Sequence, residues 1–254
     1  MNLLLLEPAE VGSDGTFVVS GGRACHLMDV LRVRPGQDVR IGVIDGALGT
    51  GTVRSVDEDT VTLTCTFDAI PARPSVDLLL ALPRPKVMRR LWAQVAALGV
   101  GQIILTNAER VERNYFDTHV LETDIYRPLL VEGLEQARDT RLPLVSIHRR
   151  LKVLVEDDLD GLCPSGVRLV AHPGSTLTFR AALGTSSAYV ADGQARTLLA
   201  VGPEGGWTDF ELRLLAAHAF GAVGMGARTL RSDTACVALL ALLHEATRAG
   251  DLRP

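Results

Sequence analysis

Val201-Gly202-Pro203-Glu204-Gly205-Gly206-Trp207 is the segment best suited to chemistry, because an apolar strand runs straight into a loop holding three glycines. Glycine admits backbone shapes that other residues avoid, and its missing side chain lets a ligand approach the main chain. Thr208 to Glu211 then reads as a capping box that opens a helix carrying Leu212, Leu214 and Leu215. Unpaired N–H groups at that helix start would face the loop. A plain strand-to-helix turn without a ligand fits the same pattern. A second corner lies just beyond it. The apolar stretch Ala222–Met225 leads into Gly226-Ala227-Arg228-Thr229-Leu230-Arg231-Ser232-Asp233-Thr234-Ala235, where Ser232 or Asp233 would cap the last helix. Neighbouring loops at the carboxyl ends of strands are where open α/β sheets bind ligands. Neither corner has the spacing of a dinucleotide fingerprint, and no Gly-Lys-Ser/Thr follows as in a P-loop.

Other residue types narrow the chemistry. Cys25, Cys65, Cys163 and Cys236 form no C-x-x-C pair and have no histidine at zinc spacing, so they read as buried thiols and no metal is expected. Arg84, Lys86, Arg89 and Arg90 surround the start of one helix, while Arg138 and Arg141 follow Glu135-Gln136. Such cations can hold phosphates through salt-sensitive contacts without reading bases. For any single arginine, a solvated helix face is the plainer reading. The net charge of −4 gives no overall basic excess. All but two of the 26 basic residues are arginine.

The elements that position these residues fall into two groups. Up to about residue 70 the sequence reads as small β structure. Val61–Phe67 alternates apolar and polar, Val39–Ile44 runs into the turn Asp45-Gly46, and Gly49–Val56 returns. A short helix over Ala24–Leu31 ends at Arg34-Pro35-Gly36. Short strands so closely spaced predict a barrel. Pro71-Ala72-Arg73-Pro74-Ser75 interrupts either regular structure and is the linker, giving domains 1–72 and 73–254. Beyond it, apolar runs at Val76–Leu82, Gln102–Thr106, Leu144–His148, Val167–His172, Thr197–Val201 and Ala222–Met225 are separated in several places by helical stretches. One carries Met88, Leu91, Trp92, Val95 and Leu98 and stops at Gly99. This grammar predicts an α/β domain with a largely parallel sheet. At 254 residues, 47% hydrophobic and 22% charged, the chain can bury a stable core. Its longest apolar run, Ala235–Leu243, is too short for a bilayer, and Met1–Glu7 lacks signal-peptide features, so a soluble cytoplasmic protein without membrane attachment is expected.

Val201-Gly202-Pro203-Glu204-Gly205-Gly206, Leu230-Arg231-Ser232-Asp233-Thr234-Ala235, His172-Pro173 and Glu135-Gln136 together resemble the RsmE-type methyltransferases of the SPOUT superfamily in order and spacing. The stretch His26–Gly36 with Asp45-Gly46 is similar to that family's PUA-like barrel. The resemblance implies a small PUA-like β-barrel followed by an α/β domain with a trefoil knot, a rare topology. It also implies a homodimer and S-adenosyl-L-methionine-dependent methylation of N3 of a uridine in 16S ribosomal RNA, or in the small ribosomal subunit. By carry-over, Ala171, His172, Val201, Gly202, Pro203, Glu204, Gly205, Gly206, Met225, Gly226, Arg228, Leu230 and Arg231 would contact the cofactor. Arg231 is the catalytic candidate, since a permanent cation lowers the cost of deprotonating the uridine imide. Asp233 would accept a proton or cap its helix, and Glu204 would fasten its own loop through backbone N–H groups. Arg32, Arg84, Lys86, Arg89, Arg138 and Arg141 would contact RNA, whereas His26 reads as a packing or hydrogen-bonding residue.

Some positions depart from the family pattern. Ala97 stands where a carboxylate is common, Arg138 and Asp139 where Gly and Arg are common, Asp233 where Glu is, and Asp29 where a basic residue is usual. These changes leave the cofactor corners intact. They keep open a SPOUT methyltransferase acting on another RNA nucleotide, and a non-catalytic RNA-binding or ribosome-assembly protein of the same fold.

Overall fold

The computed structural model describes residues 2–12, 14–164, 166–186 and 195–248. The described chain forms two compact units: one of residues 1–73 with 130–142, the other of 74–129 with 143–254. In the first unit, strands β1 (Leu4–Leu6), β2 (Thr16–Ser20), β3 (Asp38–Val43), β4 (Leu48–Val56) and β5 (Thr60–Phe67) form a half-barrel in the order β1-β3-β4-β5-β2. All neighbours are antiparallel except β1 and β3. Alternation works as expected in β5, where Val61, Leu63 and Cys65 point into a core with Leu4, Leu6, Phe17, Val19, Leu27, Ile41 and Val53. The helix expected over Ala24–Leu31 begins earlier, as α1 (Gly21–Cys25), and widens into a π turn over His26–Val30. Cys25 faces solvent, contrary to the expectation of four buried thiols, while Cys65, Cys163 and Cys236 are buried.

No composition shift announces that 130–142 belongs with this unit. Hydrogen bonds make the connection: the Glu135 carboxylate accepts from Leu5 N at 3.3 Å, Thr140 Oγ1 donates to Gly46 O at 2.7 Å, and Asp45 N donates to Thr140 O at 2.7 Å.

In the second unit, six strands form one sheet: β6 (Val76–Ala81), β7 (Gln102–Thr106), β8 (Leu144–His148), β9 (Val167–Ala171), β10 (Thr197–Val201) and β11 (Phe220–Val223). Their order is β11-β9-β10-β6-β7-β8, and every pairing is parallel. The central strands β6, β7 and β10 are buried at every position, which is why they read as unbroken apolar runs. The helices that flank them are α2 (Pro85–Ala97), α3 (Thr123–Ala137, whose last turns join the first unit), α4 (Phe179–Thr185), α5 (Asp209–Ala217) and α6 (Ser232–Arg248). Trp92 of α2 is fully buried and donates through Nε1 to Val120 O at 3.1 Å. The buried Asp77 at the start of β6 takes a two-point ion pair from Arg196, which enters β10. Strand β11 ends at Val223 rather than Met225. Its register with β9 finishes at Val223 opposite Ala171, and Gly224 then turns the chain.

Candidate functional site: a cleft at the carboxyl ends of three strands

The ends of β9, β10 and β11 lie side by side, and the loops that leave them converge on one cleft of about 680 Å³, its open mouth included. Ala171, His172 and Pro173 line it from β9, Val201 to Glu204 with Gly206 and Trp207 from β10, and Val223 to Gly226 with Arg228 to Leu230 from β11. The start of α6 completes the lining with Ser232, Ala235 and Leu239. Backbone bonds hold the β9 and β11 corners together. His172 N donates to Val223 O at 2.9 Å, Gly224 N to Leu177 O at 2.9 Å, and Ser175 Oγ to Ala222 O at 2.8 Å. Only glycine suits position 224, because a Cβ there would stand 2.1 Å from Ser175 O.

The β10 loop has its own support. The Thr208–Glu211 capping box is formed as the spacing predicts, with Glu211 N donating to Thr208 Oγ1 at 3.3 Å and Thr208 N to Glu211 Oε2 at 2.7 Å. The second oxygen of the buried Glu211 carboxylate accepts from Glu109 N at 2.8 Å, so the loop after β7 is tied to the start of α5. Gly206 sits at φ +75, and a Cβ at Gly202 would meet the Trp207 indole Nε1 at 2.9 Å. The indole thus closes directly over the loop backbone.

Two buried polar atoms in the lining, Trp207 Nε1 and Ser232 Oγ, have no hydrogen-bond partner in the described structure. Buried polar groups are almost always satisfied, so these two atoms are available to a ligand's polar groups. Ser232 or Asp233 was expected to cap α6. Instead the helix begins at Ser232, Arg231 O accepts from Ala235 N at 2.7 Å, and the Ser232 hydroxyl is left for the cleft.

Most residues expected to hold a cofactor are brought together here; Gly205 and Arg231 lie outside the lining. Gly205 packs against the Arg110 side chain. The Arg231 side chain is 72% exposed, with Nε 4.0 Å from Asp233 Oδ1. Asp233 is not a free base: its Oδ1 accepts from Thr234 N and its Oδ2 from Arg90 at 2.9 Å, and these bonds hold its pKa below the usual aspartate value. The Glu204 carboxylate does not fasten its own loop as expected but faces Arg84 Nε at 3.6 Å. Of the other cations expected to meet RNA, Arg32, Lys86, Arg89 and Arg138 are exposed, while Arg141 is half-buried and donates to Asp45 O at 3.0 Å. His26 is half-buried, and its Nε2 is buried without a hydrogen-bond partner. Val223, Gly224 and Leu239 complete the cleft without having been assigned to the cofactor from sequence, and Trp207, named with the glycine loop, was given no role there. Trp207 had a visible signal, since an aromatic ring directly after the glycine loop has little else to cover. Among the described residues no cluster of three histidine, cysteine or acidic side chains could hold a metal.

The model of an RNA methyltransferase domain family matches residues 71–244, and that of an RNA methyltransferase PUA domain matches residues 19–64. The chain is 33% identical over 255 residues to the ribosomal RNA small subunit methyltransferase E of Treponema pallidum, covering 96% of this chain and 92% of that protein. It is 26% identical over 227 residues to the protein of that name in Mycobacterium tuberculosis, covering 88% and 84%. The fold matches the crystal structure of a ribosomal RNA small subunit methyltransferase E from Neisseria gonorrhoeae bound to S-adenosyl methionine, with a TM-score of 0.73 at 20% identity over 96% of this chain and 97% of that one. With these matches running nearly end to end, and with the loops that carry the shared motifs meeting in a single cleft, the chain belongs to the ribosomal RNA small subunit methyltransferase E family.

Proposed function

We propose that this protein methylates N3 of a uridine in 16S ribosomal RNA, using S-adenosyl-L-methionine held in the cleft at the ends of β9, β10 and β11. The observation that carries the reading is the convergence of three family motifs on one cleft whose buried Trp207 Nε1 and Ser232 Oγ lack partners. The residues fit that cofactor. Val201, Pro203, Val223, Leu230 and Leu239 offer apolar walls for a purine, and the glycine-rich corners offer main-chain polar groups at close range. When bound, the cofactor supplies an electrophilic methyl group. The protein's own part is to fix the acceptor and stabilise its anion. Arg231, exposed between the cleft residues Leu230 and Ser232, would favour the deprotonated imide. Asp233, kept ionised and weakly basic by Thr234 N and Arg90, orients that guanidinium rather than taking the proton. The family resemblance further supports a knotted carboxyl-terminal chain, a homodimer with the target base near the subunit interface, and a cytoplasmic site of action on the ribosome.

Nucleoside mass spectrometry of 16S ribosomal RNA from a strain lacking the chain tests this directly. One methyluridine should vanish, return with the wild-type copy, and stay at least tenfold lower with Arg231→Ala. An unchanged methyluridine in the deletion strain would reject the substrate, and absence of S-adenosylmethionine binding in calorimetric titration would reject the enzyme.

A further inference from the structure

Three depressions adjoin one another on the second unit. The cofactor cleft shares Pro203 and Glu204 with a smaller hollow lined by Arg84, Arg110 and Tyr115. That hollow shares Val111 with a groove at the carboxyl ends of β7 and β8, lined by Arg113, Arg149, Arg150, Lys152 and Phe210. Cleft and groove also meet along the chain, since Trp207 lines one and Thr208 the other. None of the four groove cations belongs to the RNA-contacting set expected from sequence.

We propose that this groove holds the single-stranded RNA that flanks the target nucleotide, an inference that rests on the RNA-methylating role proposed above. Its charge suits a phosphodiester chain. Among the described residues Arg113 and Arg150 have no carboxylate partner, and the pairing of Lys152 with Glu156 is long, at 3.8 Å, and solvent-exposed. Of the two acidic residues in the lining, Glu211 is buried and committed to Thr208 and Glu109 N, which leaves Glu109 as the one exposed carboxylate. Arg149 is held by Asp117 Oδ1 and Phe116 O at 3.0 Å each, with its guanidinium 5.6 Å from the Phe116 ring centroid, so a flat cation is presented in a fixed pose. Phe210 is 56% exposed at the start of α5, beside these cations. A large ring left in water next to a basic groove is the arrangement on which an unstacked base rests, and a duplex has no such base to offer. The groove also contains a buried acceptor without a partner, Asn107 Oδ1, which suits the N–H edge of a base.

The test uses the full-length protein and a fluorescent single-stranded oligouridine of roughly twelve nucleotides, within the span such sites cover. Anisotropy titrations are run at several salt concentrations. The double variant Arg150→Glu/Lys152→Glu should weaken binding by about tenfold and lower the log–log salt slope by about 1.4, the value for two lost phosphate contacts to a single strand. Phe210→Ala should weaken binding by about tenfold with an unchanged slope, because stacking releases no counterions. Calorimetric affinity for S-adenosylmethionine should not change in either variant, which shows that both remain folded. Unchanged oligouridine affinity and slope in both variants would overturn the groove, as would a wild-type protein that does not bind the oligouridine at low salt. Equal weakening on a duplex of the same length would overturn the single-strand assignment. Loss of cofactor binding in the wild type itself would instead reject the methyltransferase role, so the two failures are told apart.

Discussion

Trp207 shows how much of the site rests on single atoms. Its indole covers the Gly202 backbone and leaves Nε1 buried and unpaired toward the cleft. Trp207→Phe keeps most of the ring and deletes the donor, so S-adenosylmethionine affinity measured by calorimetry should fall by about tenfold, the worth of one buried hydrogen bond, with little change in unfolding midpoint. Gly202→Ala should lower that affinity further, because the new methyl must displace the indole. The thiols differ just as sharply. Burial pushes the Cys163 thiol up to about 11, with the nearby Asp77 adding to the effect, and burial alone pushes Cys236 up to about 12. Cys65 is also raised by burial, whereas Cys25 is exposed. Iodoacetamide at mildly alkaline pH should therefore add one label to the native protein, at Cys25, as read by peptide mass spectrometry. A second label without denaturant would contradict this burial.

Two helix ends differ in how far the sequence announces them. Thr208 and Glu211 announce their capping box, and the structure forms it. Thr208→Ala should cost about 1 kcal/mol, read from a urea midpoint. The end of α3 is different. Arg138 takes φ +61 so that Asp139 N can reach Leu134 O at 3.1 Å, closing the helix with a left-handed residue where the family commonly has glycine. Arg138→Gly should raise stability by about 0.5–1 kcal/mol, since glycine accepts that conformation without a Cβ clash. The same variant separates a phosphate contact from a structural fault: RNA affinity would fall while the urea midpoint rises.

At the scale of the molecule, acid stability should show two opposed carboxylates in the first unit. The Arg23 hydrogen bond holds Glu10 below the usual glutamate value, so its contribution is present above the unfolded pKa and lost as pH falls through the lower, folded one. Burial raises Glu135, whose contribution is present at low pH and lost as pH rises through its elevated value. Urea titrations from neutral pH downward should therefore find that Arg23→Ala flattens the loss of stability on acidification. Glu135→Gln should steepen it, and equal slopes in all three proteins would refute both assignments. By itself the sequence determined the strands at 102–106, 144–148 and 197–201, the parallel sheet and the capping box, because burial periodicity and local hydrogen bonding act over a few neighbouring residues. Only the tertiary structure decided that 130–142 joins the first unit, that Ser232 faces the cleft instead of capping its helix, and that Arg149 and Phe210 share a groove. The first outcome rests on hydrogen bonds to Leu5, Asp45 and Gly46, and the other two on which strand ends become neighbours in the order β11-β9-β10-β6-β7-β8, long-range pairings that no local pattern encodes.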